Sequence, residues 1–178
     1  PSHAEVSLIR PGLLAGTEPT CFSKPEGTPA VLCSEGFRPG AGVDRLLQAA
    51  RILLDRKREF LMFLPGAGRI ASDLRRQAKA LRLASTVIFA RPTGDLERVV
   101  TGADIYVEPS VDPTLSAGPI HAMANGMAVI AVDGGAADCF VDGVTALVCP
   151  DNRAERLADA IERILDDRAF AVRLATGA

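Results

Sequence analysis

The residues best placed to do chemistry lie between positions 107 and 135, in the stretch "VEPSVDPTLSAGPIHAMANGMAVIAVDGG". A short apolar run ends there in a Pro, Ser and Gly loop, which leads into a small-residue helix carrying His121 and then into a second apolar run. Gly118 and Pro119 mark the expected helix start, proline suiting the first helical position because its missing N–H loses no bond there. The unsatisfied N–H groups of such a start favour an anion such as a diphosphate. His121 is expected in the first turn, where an imidazole can bond a hydroxyl or a phosphate oxygen. A surface histidine with no ligand is the plainer reading of the same residue. The small side chains of "HAMANG" (121–126) leave room for close approach.

Two further loops carry glycines ahead of a helix. In "SEGFRPGAGVDR" (34–45) three glycines can turn backbone N–H groups towards a phosphate, and Arg38 is the cation within the loop itself. A plain strand-to-helix turn accounts for the same pattern. In "PGAGRIASDL" (65–74), Gly66 and Gly68 lack both the full GxGxxG fingerprint and a P-loop lysine. Close packing of that turn is favoured over dinucleotide binding.

These loops are positioned by a regular alternation of elements. Strands are predicted at 30–34 "AVLCS", 60–65 "FLMFLP", 86–90 "TVIFA", 104–109 "DIYVEP", 127–132 "MAVIAV" and 145–149 "TALVC". Between the first two, Val43, Leu46, Leu47, Ala50, Leu53 and Leu54 recur at helical spacing. A last helix shows the stripe Leu157, Ala158, Ile161, Ile164 and Leu165, with Asn152 and Glu155 read as its N-terminal cap. Strands apolar at nearly every residue and separated by helices require a sheet covered on both faces. The predicted fold is therefore α/β, a Rossmann-like doubly wound parallel sheet of about six strands flanked by helices, occupying residues 29–178 after a lead-in or linker at 1–28. Ligands of such sheets bind beyond the carboxyl ends of the strands.

Composition narrows the classes. A chain of 178 residues with 48% hydrophobic content suits one well-covered core. A formal net charge of -2 with mixed signs gives no broad footprint for nucleic acid or an anionic membrane. No apolar run approaches a membrane span and no signal-peptide pattern opens the chain. Cys21, Cys33, Cys139 and Cys149 lack metal spacing and read as buried free thiols in a reducing compartment, so no metal site is predicted. The sequence opens at Pro1, as expected of a piece of a longer protein.

The run "ADIYVEPS…GPIHAMANGMAVIAVDGGAADCFVDGVTALVCPDNRAERLADAIERILDD" (103–167) resembles the C-terminal, donor-binding domain of GT-B fold glycosyltransferases of group 1, family 4. Upstream, "IRPGL" (9–13), "GVDRLLQAARIL" (42–53), "FLPGAG" (63–68) and "VIFA" (87–90) fall in that family's order. The resemblance implies transfer of a sugar from a nucleotide-sugar donor to an acceptor hydroxyl, with retained configuration and without an essential metal or any cofactor beyond the donor. It implies that this chain is the second of two Rossmann-like domains. An acceptor sugar, lipid or small molecule would be held by an absent N-terminal domain. The location implied is cytoplasmic, or peripheral to a membrane in the full protein.

Carried over residue by residue, the resemblance places Ser116, Ala117 and Gly118 at the donor diphosphate with Arg38 as the stand-in for its basic pair, His121 at the ribose or sugar with Asp112 as the stand-in one residue from the first glutamate position, and Arg91 and Pro92 at the base. No catalytic residue is assigned. The sequence departs from the family pattern at several of these positions. Pro113 and His121 stand where the E-x7-E glutamates belong, Gly36 and Ala41 occupy the places of the diphosphate-gripping basic pair, and Asp138 takes the glutamate position of "GG..E". An alternative reading follows, a catalytically degenerate glycosyltransferase-like module acting as a scaffold or partner-binding domain. That reading expects a crevice filled by side chains such as Glu35 or Leu115, or ringed by acids. A sugar-nucleotide epimerase or phosphorylase of the same architecture fits the "HAMANG" to "DGVTALV" region less well.

Overall fold

The computed structural model describes residues 24–90, 102–112, 116–134 and 140–177. All six predicted strands are present, each a little shorter than its apolar run: β1 (Ala30–Leu32), β2 (Leu61–Pro65), β3 (Val87–Ala90), β4 (Ile105–Glu108), β5 (Ala128–Val132) and β6 (Leu147–Cys149). They form one sheet in the order β3-β2-β1-β4-β5-β6, with every pairing parallel. The chain builds outward from β1 to β3, then returns to the other side of β1 and builds outward again. The reversal falls between β1 and β4, where Val31 pairs with Ile105 and Leu32 with Tyr106. In a doubly wound sheet such a switch point opens a crevice at the carboxyl ends of the two strands.

Alternate residues of each strand face opposite layers, so the apolar runs fill two cores. One core gathers Val31, Met62, Leu64, Ile105, Val107 and Ile130 against the buried stripe of α1 (Val43–Asp55), which includes Leu46, Leu47, Ala50 and Leu53, and against α4 (Ala154–Asp166). The other gathers Leu32, Phe63, Tyr106 and Val129 with Ala122 of α3 (Ala117–Ala124). Glu108 shares the parity of Tyr106, so it belongs to the α3 layer. The helix α2 (Ala71–Ala80) contributes Leu74 and Ala78 to the larger core.

Helices α1 and α4 are also joined by charge: Arg56 donates to Asp159 and Glu162, and Arg58 to Glu162 and Asp166. The predicted cap of α4 is corrected by the structure. Asn152 does not cap it; the side-chain amide instead donates to the Pro109 carbonyl at 3.3 Å, and the helix begins two residues later at Ala154 without a side-chain cap bond. Here Asp151 supplies the local turn, accepting from the Arg153 backbone N–H at 3.0 Å. The chain then continues into α5 (Arg168–Gly177), a helix the sequence reading did not separate from α4. Asp167 begins it by accepting the Phe170 N–H at 2.8 Å.

Of the four cysteines, Cys33 and Cys149 are buried free thiols, whereas Cys21 and Cys139 lie outside the described residues. Among the described residues no helix is long and apolar enough to cross a membrane.

Candidate functional site

The crevice at the switch point is built from the loop after β1 and the loop after β4. Glycine sets how close these loops come. Gly42, at φ 78°, begins α1 directly against the end of β4: a Cβ there would stand 2.3 Å from the Pro109 carbonyl oxygen. Gly118 brings α3 down onto the sheet, where a Cβ would meet the Tyr106 hydroxyl at 2.0 Å and Ser34 Oγ at 2.6 Å. Those two hydroxyls share a hydrogen bond of 2.9 Å across the switch point. The N-termini of α1 and α3 therefore converge on the carboxyl end of β4, and neither has a side-chain cap hydrogen bond. Uncapped helix starts offer N–H donors and positive potential to an anion.

Ser116 occupies the cap position of α3, yet its hydroxyl turns away from the helix and donates to Glu108 Oε2 at 2.9 Å. Glu108 is buried, and its Oε1 has no hydrogen-bond partner among the described residues. Burial first, and then the negative charge of neighbouring Glu35, push its pKa up to about 8. Glu35, from the loop after β1, is buried as well. Arg38 bridges the two loops, with Nη2 3.4 Å from Glu35 Oε2 and Nη1 3.4 Å from Asp112 Oδ2. Its guanidinium is about half exposed; the pair with Asp112, exposed at both ends, contributes no more than about 1 kcal/mol, whereas the pair with Glu35 has a buried carboxylate at its far end. A more highly charged anion can take Arg38 from them.

The structure thus brings Arg38, Asp112, Ser116, Ala117 and Gly118 to the one crevice. Ala117 is exposed at the first turn of α3, while Gly118 is buried against Tyr106. Pro119 is the third residue of α3 and not the first, because Ala117 begins the helix; its missing N–H still falls among those with no intrahelical acceptor. His121 is correspondingly the fifth residue, in the second turn and half-buried, with its carbonyl accepting from the Asn125 side chain at 2.8 Å. Arg91, Pro92, Pro113, Leu115 and Asp138 lie outside the described residues.

The second glycine loop packs and does not open. A Cβ on Gly66 would touch the Phe37 ring at 2.8 Å, and one on Gly68 would stand 2.1 Å from the Phe37 carbonyl oxygen. Phe37 N–H donates to Ala67 O and Ile70 N–H donates to Phe37 O, which stitches the two loops together. Among the described residues no group of three or more His, Cys, Asp or Glu is arranged to hold a metal ion. A separate groove of about 480 Å³, lined by Gly27, Asp104, Gly126, Leu165 and Arg168, opens at the opposite, amino-terminal edge of the sheet.

Sequence reasoning missed Glu108. Its signal was present: one carboxylate inside "IYVEP", in a strand otherwise apolar at every position.

Comparison with known proteins agrees with this fold. The family model for glycosyl transferases group 1 matches residues 19–178. The D-inositol 3-phosphate glycosyltransferase of Nocardia farcinica is 30% identical over 179 residues, covering 94% of this chain and 39% of that protein. The solved C-terminal domain of a glycosyl transferase group 1 protein from Francisella tularensis superposes with a TM-score of 0.73 at 19% identity, over 84% of this chain and 81% of that one. Anabaena HepE in complex with UDP and glucose superposes with a TM-score of 0.76 at 20% identity, over 84% of this chain and 42% of that one. The chain spans about two fifths of the length of the full-length relative from Nocardia. With the family model spanning most of the sequence and the six-stranded parallel sheet in agreement with it, the chain is a glycosyltransferase domain belonging to the group 1 glycosyl transferases.

Proposed function

We propose that this chain is the nucleotide-sugar donor-binding domain of a retaining, metal-independent glycosyltransferase that transfers a sugar to an acceptor hydroxyl. The observation that carries the reading is the convergence of two uncapped helix starts, α1 at Gly42 and α3 at Ser116, on the switch-point crevice beside Arg38. A diphosphate seated there meets N–H donors from both helices. Arg38, released from Glu35 and Asp112, supplies a mobile positive charge. As the bond between sugar and diphosphate lengthens, negative charge grows on the leaving diphosphate, and donors already aimed at it lower the barrier. In this reading His121 and Asp112 lie on the sugar and ribose side of the crevice, with Arg91 and Pro92 at the base. The acceptor would be held by a further domain.

The UDP and glucose bound by Anabaena HepE support a nucleotide-sugar of this class. Family membership does not favour the alternative reading of a scaffold or partner-binding module.

The test is a calorimetric and thermal-shift series with UDP, GDP, ADP and dTDP, each with and without magnesium. A ligand at 100 times its dissociation constant stabilises the fold by about 2.7 kcal/mol. One nucleotide should bind, independently of magnesium, and more weakly in His121→Ala. Absence of binding by all four at millimolar concentration refutes the reading.

A further inference from the structure

Glu35 and Glu108 arrive from the ends of adjacent strands, β1 and β4, and are 5% and 7% exposed. Glu108 Oε2 accepts from Ser116, whereas Oε1 is buried with no described donor in reach. An acceptor left in that state costs free energy, and two buried carboxylates in contact cannot both ionise cheaply. One proton resolves both problems. Placed on Oε1 it turns the orphan into a donor, and Glu35 is the side chain beside it to accept. Glu35 in turn pairs with Arg38, which reaches across to Asp112 at the mouth. A continuous chain of contacts therefore runs from the buried acid to the guanidinium that faces the crevice.

We propose that Glu35 and Glu108 hold one proton between them, and that retention of this proton is coupled through Arg38 to occupation of the crevice by a diphosphate. The proposal rests on the donor-site reading. A diphosphate that draws Arg38 away removes the cation beside Glu35 and adds negative charge nearby. Both changes strengthen the hold on the shared proton, so binding takes up protons and deprotonation weakens binding; the two effects are reciprocal. With the Glu108 carboxyl pushed up to about 8 by burial and by Glu35, affinity falls as pH rises through that value.

The groups that bear on this carboxyl come from every element around it. They are Cys33 at the end of β1, Glu35 and Arg38 in the following loop, Tyr106 on the same strand, and Asp112 beyond it. On the elements packed against β4 stand His121 of α3 and Asp133, just past β5. Cys33 and Tyr106 are themselves held neutral by burial, which leaves the Glu108 carboxyl as the group among these that is shifted to about 8.

Two measurements on the whole chain test the idea. Carbon-13 NMR of the glutamate carboxyls, without ligand, should show one group titrating near pH 8 that vanishes in Glu108→Gln. If every glutamate carboxyl titrates below about pH 6, the shared proton is refuted whatever the nucleotide does. Calorimetry with UDP-glucose and with GDP-mannose, whose diphosphate diesters do not titrate here, should show affinity falling about fivefold or more between about pH 7 and pH 9, with net proton uptake. Glu108→Gln should bind with little pH dependence, and Glu35→Gln serves in its place if that variant does not fold. Binding that is equally tight at both pH values, without proton uptake, overturns the coupling and leaves the donor site standing. If neither probe binds, and neither ADP-glucose nor dTDP-glucose binds in the same assay, the donor-site reading and the coupling both fail, and the carboxyl titration still reports separately on the proton.

Discussion

Replacing Glu108 with Gln should make this domain more stable at alkaline pH and change it little at acid pH. Gln resembles the neutral acid: its carbonyl can accept from Ser116 and its amide can donate to Glu35. In the wild type, burial and the charge of Glu35 raise the Glu108 pKa from 4.5 to about 8. The folded protein then holds a proton that the unfolded chain releases. Because the folded state binds more protons over that window, stability is fully present below the unfolded value and is lost as pH rises through the folded value. The span multiplied by about 1.36 kcal/mol per unit gives a ceiling of about 5 kcal/mol, of which about 3 kcal/mol is already lost by pH 7. Against a typical stability of about 5–15 kcal/mol, that is a large share.

Urea denaturation of both proteins at about pH 5, 7 and 9 isolates the effect, since nearly all other titrations are common to the two and cancel in the difference. The Gln variant should lie within about 1 kcal/mol of the wild type at the acid end and exceed it by several kcal/mol at the alkaline end. A difference that stays constant with pH would refute the assignment of a buried, protonated carboxyl at the end of β4. A difference that grows in the opposite direction would mean that Glu108 is held ionised, with Arg38 closer to it than the structure places it.

Gly118→Ala should destabilise the domain by about 1–3 kcal/mol, measured by denaturation, because its Cβ would fall 2.0 Å from the Tyr106 hydroxyl. Combining it with Tyr106→Phe should recover part of that loss, the contact to Ser34 Oγ at 2.6 Å remaining. Gly42→Ala combines a left-handed φ of 78° with a contact of 2.3 Å to Pro109 O, and should cost at least about 1 kcal/mol and weaken nucleotide binding by moving the start of α1. Arg58→Ala breaks its pairs with Glu162 and Asp166 on the outside of the α1 and α4 layer; the loss of stability, read by urea denaturation, should be small and should shrink further in high salt.

The parts of this domain that sequence made legible are those determined by period and by burial on both faces. A strand flanked by covered faces must be apolar at successive residues, so "AVL", "IYV" and "AVIAV" announce central strands whatever they pair with. The stripe of α1 is equally local, since Val43, Leu46, Leu47, Ala50 and Leu53 recur at the pitch of a helix. The site obeys different rules, because its interactions join residues far apart in the chain. Ser34 meets Tyr106 across 72 positions, and Asn152 leaves its expected role as a cap to bond Pro109, 43 positions away. An amide that satisfies a buried carbonyl at the end of β4 removes an orphaned acceptor, a gain at least comparable with that of a side-chain cap. Ser116 makes the same exchange when it gives its hydroxyl to Glu108. Each substitution of a long-range bond for a local cap leaves a helix start without its side-chain partner, at α3 and at α4 alike. At α3 that start faces the switch-point crevice, so the bond that steadies Glu108 is also the one that leaves backbone N–H groups of the helix free of a side-chain cap for an anion.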